Sequence, residues 1–101
     1  MQLRSEISGD TLSVTFTGEL DEHIAGPVKE KLDSMISAPK ITKIVFDMSE
    51  LSFMDSTGLG IIIGRYKKLK GTDKQLFIAR PSPGVDKLLR LSGIYEIIRK
   101  I

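Results

Sequence analysis

A stretch near the middle of the chain is the most informative about the fold: Met54-Asp55-Ser56-Thr57-Gly58-Leu59. It follows an apolar strand, Ile44-Val45-Phe46, and a short loop, and it opens an amphipathic helix. The apolar stripe of that helix is predicted to be Leu59, Ile62, Ile63, Tyr66 and Leu69. The first turn of a helix carries unpaired backbone N–H groups and the positive end of the helix dipole. We therefore expect the domain to accept a phosphate on Ser56 without unfolding.

The residues before this stretch predict a hairpin and a helix. Alternating apolar residues from Leu3 to Ile7 and from Leu12 to Phe16 predict two strands, joined by a tight turn at Gly9-Asp10. Asp21 follows the second strand and is suited to cap the next element. A helix with Pro27 in its first turn is then predicted from the spacing of Val28, Leu32, Met35 and Ile36.

The remaining segments continue the alternation of strands and helices. The apolar run Ile41–Phe46 predicts a central parallel strand buried on both faces. The helix that starts at Ser56 is expected to run to about Lys70 and to stop at Gly71. A strand at Leu76–Ala79 follows. A helix then opens at Ser82-Pro83 and is capped by Gly93, and a short last strand is expected from Ile94, Ile97 and Ile98.

This order of elements predicts an α/β fold. A mostly parallel or mixed sheet of four to five strands is expected, with an N-terminal β-hairpin and with helices packed against it. The 101 residues fit one domain, residues 1–101.

Composition excludes several classes of function. A net charge of +2 is too small to indicate binding to nucleic acid or to an anionic membrane. The chain has no cysteine, so thiol catalysis, thiolate metal sites and disulfides are excluded. No apolar run approaches the ~20 residues of a membrane span and no signal peptide is visible, which indicates a cytoplasmic protein. His23 is the only histidine, and without a second histidine or a cysteine we expect no metal site. No cofactor is expected, because the chain has no phosphate-binding P-loop and no standard dinucleotide-binding loop.

The central stretch has three other interpretations. Asp55 and Ser56 are ordinary residues for capping a helix, with no further role required. Ser56 as an enzymatic nucleophile beside His23 is disfavoured because the G-x-S-x-G setting of a hydrolase is missing. The spacing Gly58-x-Gly60-x-x-x-Gly64 does not match a dinucleotide-binding loop, and Gly60 and Gly64 are expected to let the helix approach the sheet.

The stretch from Leu51 to Gly60, continued by Gly64-Arg65-Tyr66-Lys67, resembles the signature of bacterial anti-sigma-factor antagonists, which are single STAS domains. Gly18-Glu19-Leu20-Asp21 is similar to a second motif of that family, and Pro81-Ser82-Pro83 with Leu91-Ser92-Gly93-Ile94 is similar to its third helix. The Gly64–Lys67 stretch favours the sporulation sigma-F type over the general-stress type.

The resemblance implies regulation of transcription by partner switching. In the family, the unphosphorylated antagonist binds an anti-sigma factor that is also a serine kinase, and this frees a sigma factor. The kinase then phosphorylates the antagonist, which dissociates, and a serine phosphatase removes the phosphate. Carried over by motif, Ser56 is the phosphorylated residue and Asp21 contacts the kinase, whereas Thr57 offers a second hydroxyl beside Ser56.

The partner-binding surface is expected at the start of the central helix. The residues assigned to it are Asp21, Phe53, Met54, Asp55, Ser56, Thr57, Gly58, Gly60 and Ile61. Ile61 is predicted to be an exposed anchor, opposite the apolar stripe. The free chain is expected to be monomeric and not to be an enzyme. The alternative is a STAS scaffold subunit of a larger signalling or transport assembly, without a phosphorylation switch.

Family members usually continue past the last strand into another helix, whereas this chain stops at Ile101. The resemblance implies that without this helix one face of the sheet is exposed, and that phosphorylation of Ser56 is not affected.

Overall fold

The computed structural model describes residues 1–101 and contains one five-stranded sheet with three α-helices. In chain order the elements are β1 (Gln2–Ser8), β2 (Thr11–Leu20), α1 (Ala25–Ile36), β3 (Lys43–Met54), α2 (Ser56–Leu69), β4 (Gln75–Ala79), α3 (Pro83–Ser92) and β5 (Arg99–Lys100). Short 3₁₀ helices at Glu22–Ile24 and Ile94–Glu96 precede α1 and β5. No helix of the structure has the length and apolar character needed to cross a bilayer.

The strands lie in the sheet in the order in which they occur in the chain. β1 and β2 are antiparallel and joined by the two-residue turn at Gly9-Asp10, where Gly9 has a φ of 61°. The pairs β2–β3, β3–β4 and β4–β5 are parallel. The predicted mixed α/β sheet with an N-terminal hairpin is confirmed.

β3 differs from its prediction in length and in burial. It continues through residues 51–54, which were expected to form a loop. Ile44, Phe46 and Met48 are buried while the intervening Val45 and Asp47 are only half-buried, so the expectation of burial on both faces was wrong. The reason is that only one face of the sheet is covered by helices, and the other face carries polar side chains such as Thr15, Asp47 and Arg80.

A single apolar core lies between the covered face of the sheet and the helices. Phe16 and Phe46 meet edge to face at its centre, with ring centroids 5.1 Å apart. The helices contribute Val28, Leu32 and Ile36 from α1, Ile61, Ile62 and Leu69 from α2, and Val85 and Leu89 from α3.

The buried stripe of α2 is only partly the predicted one. Ile62 and Leu69 are buried as expected, but Leu59, Ile63 and Tyr66 are half-buried. The remaining buried positions belong to Gly58, Ile61 and Arg65, because α2 faces α1 as well as the sheet.

The predicted last strand is also corrected. The segment from Ile94 forms a 3₁₀ turn, and β5 consists of Arg99 and Lys100 only. Ile94 and Ile98 are buried in the core instead of alternating along a strand.

Candidate functional site

The carboxyl ends of β2 and β3 bring the sequence-predicted residues together. Leu20 and Met54 are register partners at the ends of the two parallel strands. The Asp55 N–H donates to the Leu20 carbonyl at 3.3 Å, which ties the start of α2 to the end of β2. Asp21 and Asp55 therefore follow adjacent strand ends. We call this region the Ser56 edge and define it as Asp21, Phe53 and residues 55–60.

Asp55 is the N-cap of α2. Its backbone is extended, and its carboxylate accepts a hydrogen bond from the Gly58 N–H at 2.9 Å. Ser56 is the first helical residue and is exposed, whereas Thr57 is half-buried. Because the cap occupies one N–H of the first turn, the N–H groups of Ser56 and Thr57 are the ones left facing outward from the helix end.

Gly58 explains why α2 can begin so close to β2. A Cβ at this position would lie 2.4 Å from the Leu20 carbonyl oxygen and 2.9 Å from Met54 Cγ. Gly60 and Gly64 have open space around them, so the expectation that they permit the close approach was wrong. α2 contains three glycines, and the sequence alone does not show which of them lies against β2. In the structure it is Gly58.

Asp21 has the predicted capping role. It is the N-cap of the 3₁₀ helix that follows β2, and its side chain accepts from the His23 N–H at 3.0 Å. The imidazole Nδ1 of His23 lies 3.7 Å from Asp21 Oδ1, and the ring is 82% exposed. His23 is thus a surface residue beside a cap.

The structure separates the assigned contact residues into exposed and buried ones. Phe53 is 48% exposed, and Gly60 is also exposed. Met54 is 6% exposed and Ile61 only 1%, so the prediction of Ile61 as an exposed anchor was wrong. The residues 59–63 are apolar apart from Gly60, and such a run permits more than one stripe, so the sequence alone did not fix the helix rotation.

One neighbour of the Ser56 edge was missed in the sequence. The first turn of α3 lies against the end of β3, where Ser52, Phe53, Met54, Gly84 and Val85 line a cavity of about 190 Å³. Ser82 is the N-cap residue of α3, but its hydroxyl makes no cap hydrogen bond and donates to the Leu51 carbonyl at 3.5 Å. No local pattern predicts this contact, because it joins segments about thirty residues apart.

These features, a β-hairpin leading into a parallel sheet and a capped helix that presents a serine at the sheet edge, define a STAS domain. A family model described as "STAS domain" matches residues 2–101. An anti-sigma F factor antagonist of Paenibacillus polymyxa is 35% identical over 98 residues, which are 97% of this chain and 84% of that protein. An anti-sigma-B factor antagonist of Listeria monocytogenes is 32% identical and aligns with 88% of this chain and 77% of its own length.

Solved structures agree with this assignment. The anti-sigma factor antagonist SpoIIAA in its unphosphorylated form is 29% identical, with a TM-score of 0.81 over 99% of this chain and 88% of that chain. SpoIIAA of Bacillus in its phosphorylated form is 28% identical, with a TM-score of 0.74 over 99% of this chain and 91% of that chain. The chain therefore belongs to the STAS family and, within it, to the anti-sigma factor antagonists.

Proposed function

We propose that this chain binds an anti-sigma factor through the Ser56 edge and so releases a sigma factor. The observation that carries the proposal is the position of Ser56, exposed at the first residue of α2 and flanked by Asp55 and the half-exposed Phe53. The anti-sigma factor acts as the serine kinase that phosphorylates Ser56, the complex then separates, and a serine phosphatase restores the binding form. Since sigma factors act on RNA polymerase, the proposed site of action is the cytoplasm.

The exposure of the side chains refines the proposed contact set. Asp21, Phe53, Asp55, Ser56, Thr57 and Gly60 form the contact surface, whereas Met54, Gly58 and Ile61 support it from below. Phe53 supplies an aromatic anchor, a residue type that often carries much of the binding energy at interfaces. The chain is proposed to act by binding alone, without catalysis of its own.

A phosphate on Ser56 would oppose docking more than it opposes folding. It adds roughly −1.5 to −2 charges and three acceptor oxygens. On the free chain the helix end and water accommodate this group. Under a docked partner the same group takes up volume and loses its water, which is costly for a charge without a matched partner.

The test measures binding to the cognate anti-sigma factor by calorimetry and phosphate position by mass spectrometry. Ser56→Ala is expected to bind like the wild type and to remain bound after ATP is added, whereas Ser56→Glu is expected to bind more than about a hundredfold less tightly, which corresponds to ~3 kcal/mol. Thr57→Val is the matched control and should still be phosphorylated and released.

Asp21 is tested in the same assay. Asp21→Asn keeps a side-chain oxygen for the His23 N–H, and loss of affinity at unchanged stability would mark Asp21 as a contact.

Phosphate found on Thr57, or equal affinity of Ser56→Glu and wild type, would overturn the proposed switch. If no phosphate is incorporated while the complex still forms, a STAS scaffold without a phosphorylation switch becomes the better description.

A further inference from the structure

A second concave surface lies at the end of α2 opposite Ser56. It is a groove of about 240 Å³ between the last turns of α2 and the strands β4 and β5. Its apolar lining includes the buried Leu76, the half-buried Tyr66 and Ile97, which is 46% exposed. We call it the α2–β5 groove.

The charge of the α2–β5 groove has one sign. Lys70, Lys74 and Arg99 line it, and no Asp or Glu does. Lys74 is held in place because its Nζ donates to the carbonyls of Ile36 and Ala38 at 2.7 and 3.0 Å. Lys70 and Arg99 are exposed, so their charge is available to a bound molecule.

We propose that the α2–β5 groove binds an acidic amphipathic helix of a partner protein. Apolar side chains of that helix would fill the space beside Tyr66 and Ile97, and its flanking carboxylates would face Lys70 and Arg99. The groove is smaller than the roughly 300–1,000 Å³ of sites that hold whole small molecules, and it suits one or two side chains.

Other classes of partner fit the groove less well. Binding of single-stranded nucleic acid uses several aromatic rings for stacking, whereas Tyr66 is the only aromatic residue of the lining. A membrane surface would reach exposed side chains but not the recessed Leu76. The proposal is independent of the switch at Ser56, since the 14 residues of α2 separate the two ends by about 20 Å.

The test titrates the ¹⁵N-labelled chain of 101 residues with a synthetic sixteen-residue helical peptide. The peptide carries leucines at helical spacing on one face and glutamates on the other, and a control peptide has lysine in place of glutamate. The glutamate peptide is expected to shift the amide resonances of Tyr66, Leu76 and Ile97, and the lysine peptide is expected to leave them unchanged. Absence of binding by the glutamate peptide, or shifts confined to other residues, would overturn the proposal.

Charge reversal in the groove gives the second readout. The double variant Lys70→Glu/Arg99→Glu is expected to bind the glutamate peptide at least about tenfold less tightly. The control is Lys29→Glu/Lys87→Glu, which reverses two exposed lysines outside the groove and should bind like the wild type. Equal binding by the two double variants would contradict the proposal.

The same variants distinguish the other possible occupants. Tighter binding of an oligothymidylate or of a phosphatidylserine vesicle than of the peptide, lost in Lys70→Glu/Arg99→Glu, would identify a different class of ligand and overturn the proposal. Concentration-dependent self-association that disappears in that variant would assign the groove to a second copy of the chain and would also overturn it.

Discussion

At the scale of single residues, Ser56 shares its helix end with a carboxylate. The Gly58 N–H already donates to the Asp55 carboxylate, so the N–H groups of Ser56 and Thr57 are the ones available to a phosphate on Ser56. The negative charge of Asp55 would lie beside that phosphate. The helix dipole favours the phosphate while Asp55 repels it. The expected consequence is a local rearrangement of the cap, with the rest of the chain unchanged.

Alanine substitutions at Gly58 and Gly60 compare a glycine that is packed against β2 with a glycine that has open space around it. Gly58→Ala places a methyl group against the Leu20 carbonyl and Met54, and it is expected to destabilise the fold by about 1–3 kcal/mol. Gly60→Ala adds a methyl group in open space within a helix, and it is expected to stabilise the fold by up to about 1 kcal/mol. Urea denaturation of both variants tests this, and an equal effect of the two substitutions would contradict it.

At the scale of elements, α1 and α2 are joined by a buried cation. Arg65 is 6% exposed, and its Nε lies 3.0 Å from Asp33 Oδ1, although the two atoms are not aligned for a hydrogen bond. Lys68 Nζ donates to the other oxygen of Asp33 at 2.7 Å. Arg65 Nη1 is buried without a hydrogen-bond partner, so the guanidinium depends on the single carboxylate of Asp33.

Substitution of Asp33 and substitution of Arg65 are expected to change the stability of the fold by different amounts. Asp33→Ala leaves a buried cation without a counter-charge and is expected to cost about 1–3 kcal/mol. Arg65→Met removes the buried charge and keeps much of the volume, and it is expected to be close to neutral. Chemical denaturation of both variants is the measurement. Lys68→Met is the control, because it removes only the exposed cation that also pairs with Asp33. A larger loss in Arg65→Met than in Asp33→Ala would show that the ion pair is strongly favourable in itself.

A second polar cluster fastens α3 to the C-terminal segment. The Asp86 carboxylate accepts hydrogen bonds from Tyr95 Oη at 2.6 Å and Lys100 Nζ at 2.9 Å, and it also pairs with Arg90. These donors, led by the Tyr95 hydroxyl and Lys100, hold the pKa of Asp86 below its usual value of 3.8. The pKa of the Tyr95 hydroxyl is raised by its burial and by the adjacent carboxylate.

The lowered pKa of Asp86 gives stability a defined dependence on pH. A carboxyl group whose pKa is lower in the folded state than in the unfolded state stabilises the fold above the unfolded pKa and loses that contribution as pH falls through the folded pKa. Asp86→Asn is therefore expected to be less stable than the wild type near neutral pH, and the difference should shrink as the pH falls below the unfolded-state pKa of about 4. Urea midpoints at neutral pH and at pH values below that pKa test this, and a difference that does not change with pH would contradict it.

Two features that the local sequence does not determine also lie at the scale of elements. The hairpin, the parallel order and the cap at Asp55 follow from local chemistry, because Gly9-Asp10, the apolar runs and Asp55 each specify a local geometry. The rotation of α2 does not, because residues 59–63 offer several apolar stripes, and only packing in the core shows that Ile61 and Ile62 are the buried ones. β3 likewise continues past its apolar run because two irregularities in its pairing with β2 keep Leu51 and Met54 facing the core.

At the scale of the whole molecule, the two proposed binding regions, the Ser56 edge and the α2–β5 groove, lie at opposite ends of α2. The N-terminal end carries Ser56 and its capping carboxylate, and the C-terminal end carries the α2–β5 groove with its cations. The sheet and the single core between these ends are tightly packed, and a packed core moves little when one surface charge changes. We therefore expect a modification of Ser56 to change the structure only close to that residue.

Phosphorylation of Ser56 is accordingly expected to change the surface and to leave the fold unchanged. Amide chemical shifts should change at the Ser56 edge and at the adjacent first turn of α3, because Gly84 and Val85 share a cavity with Phe53. The resonances of Tyr66, about 15 Å from Ser56 along α2, and of Ile97 in the α2–β5 groove should change no more than they do in Ser56→Ala. Comparison of ¹⁵N spectra of the phosphorylated chain, the wild type and Ser56→Ala makes the measurement. Changes that extend to Tyr66 or Ile97 would mean that the two ends of α2 are coupled, and that phosphorylation acts on the conformation of the domain as well as on the docking surface.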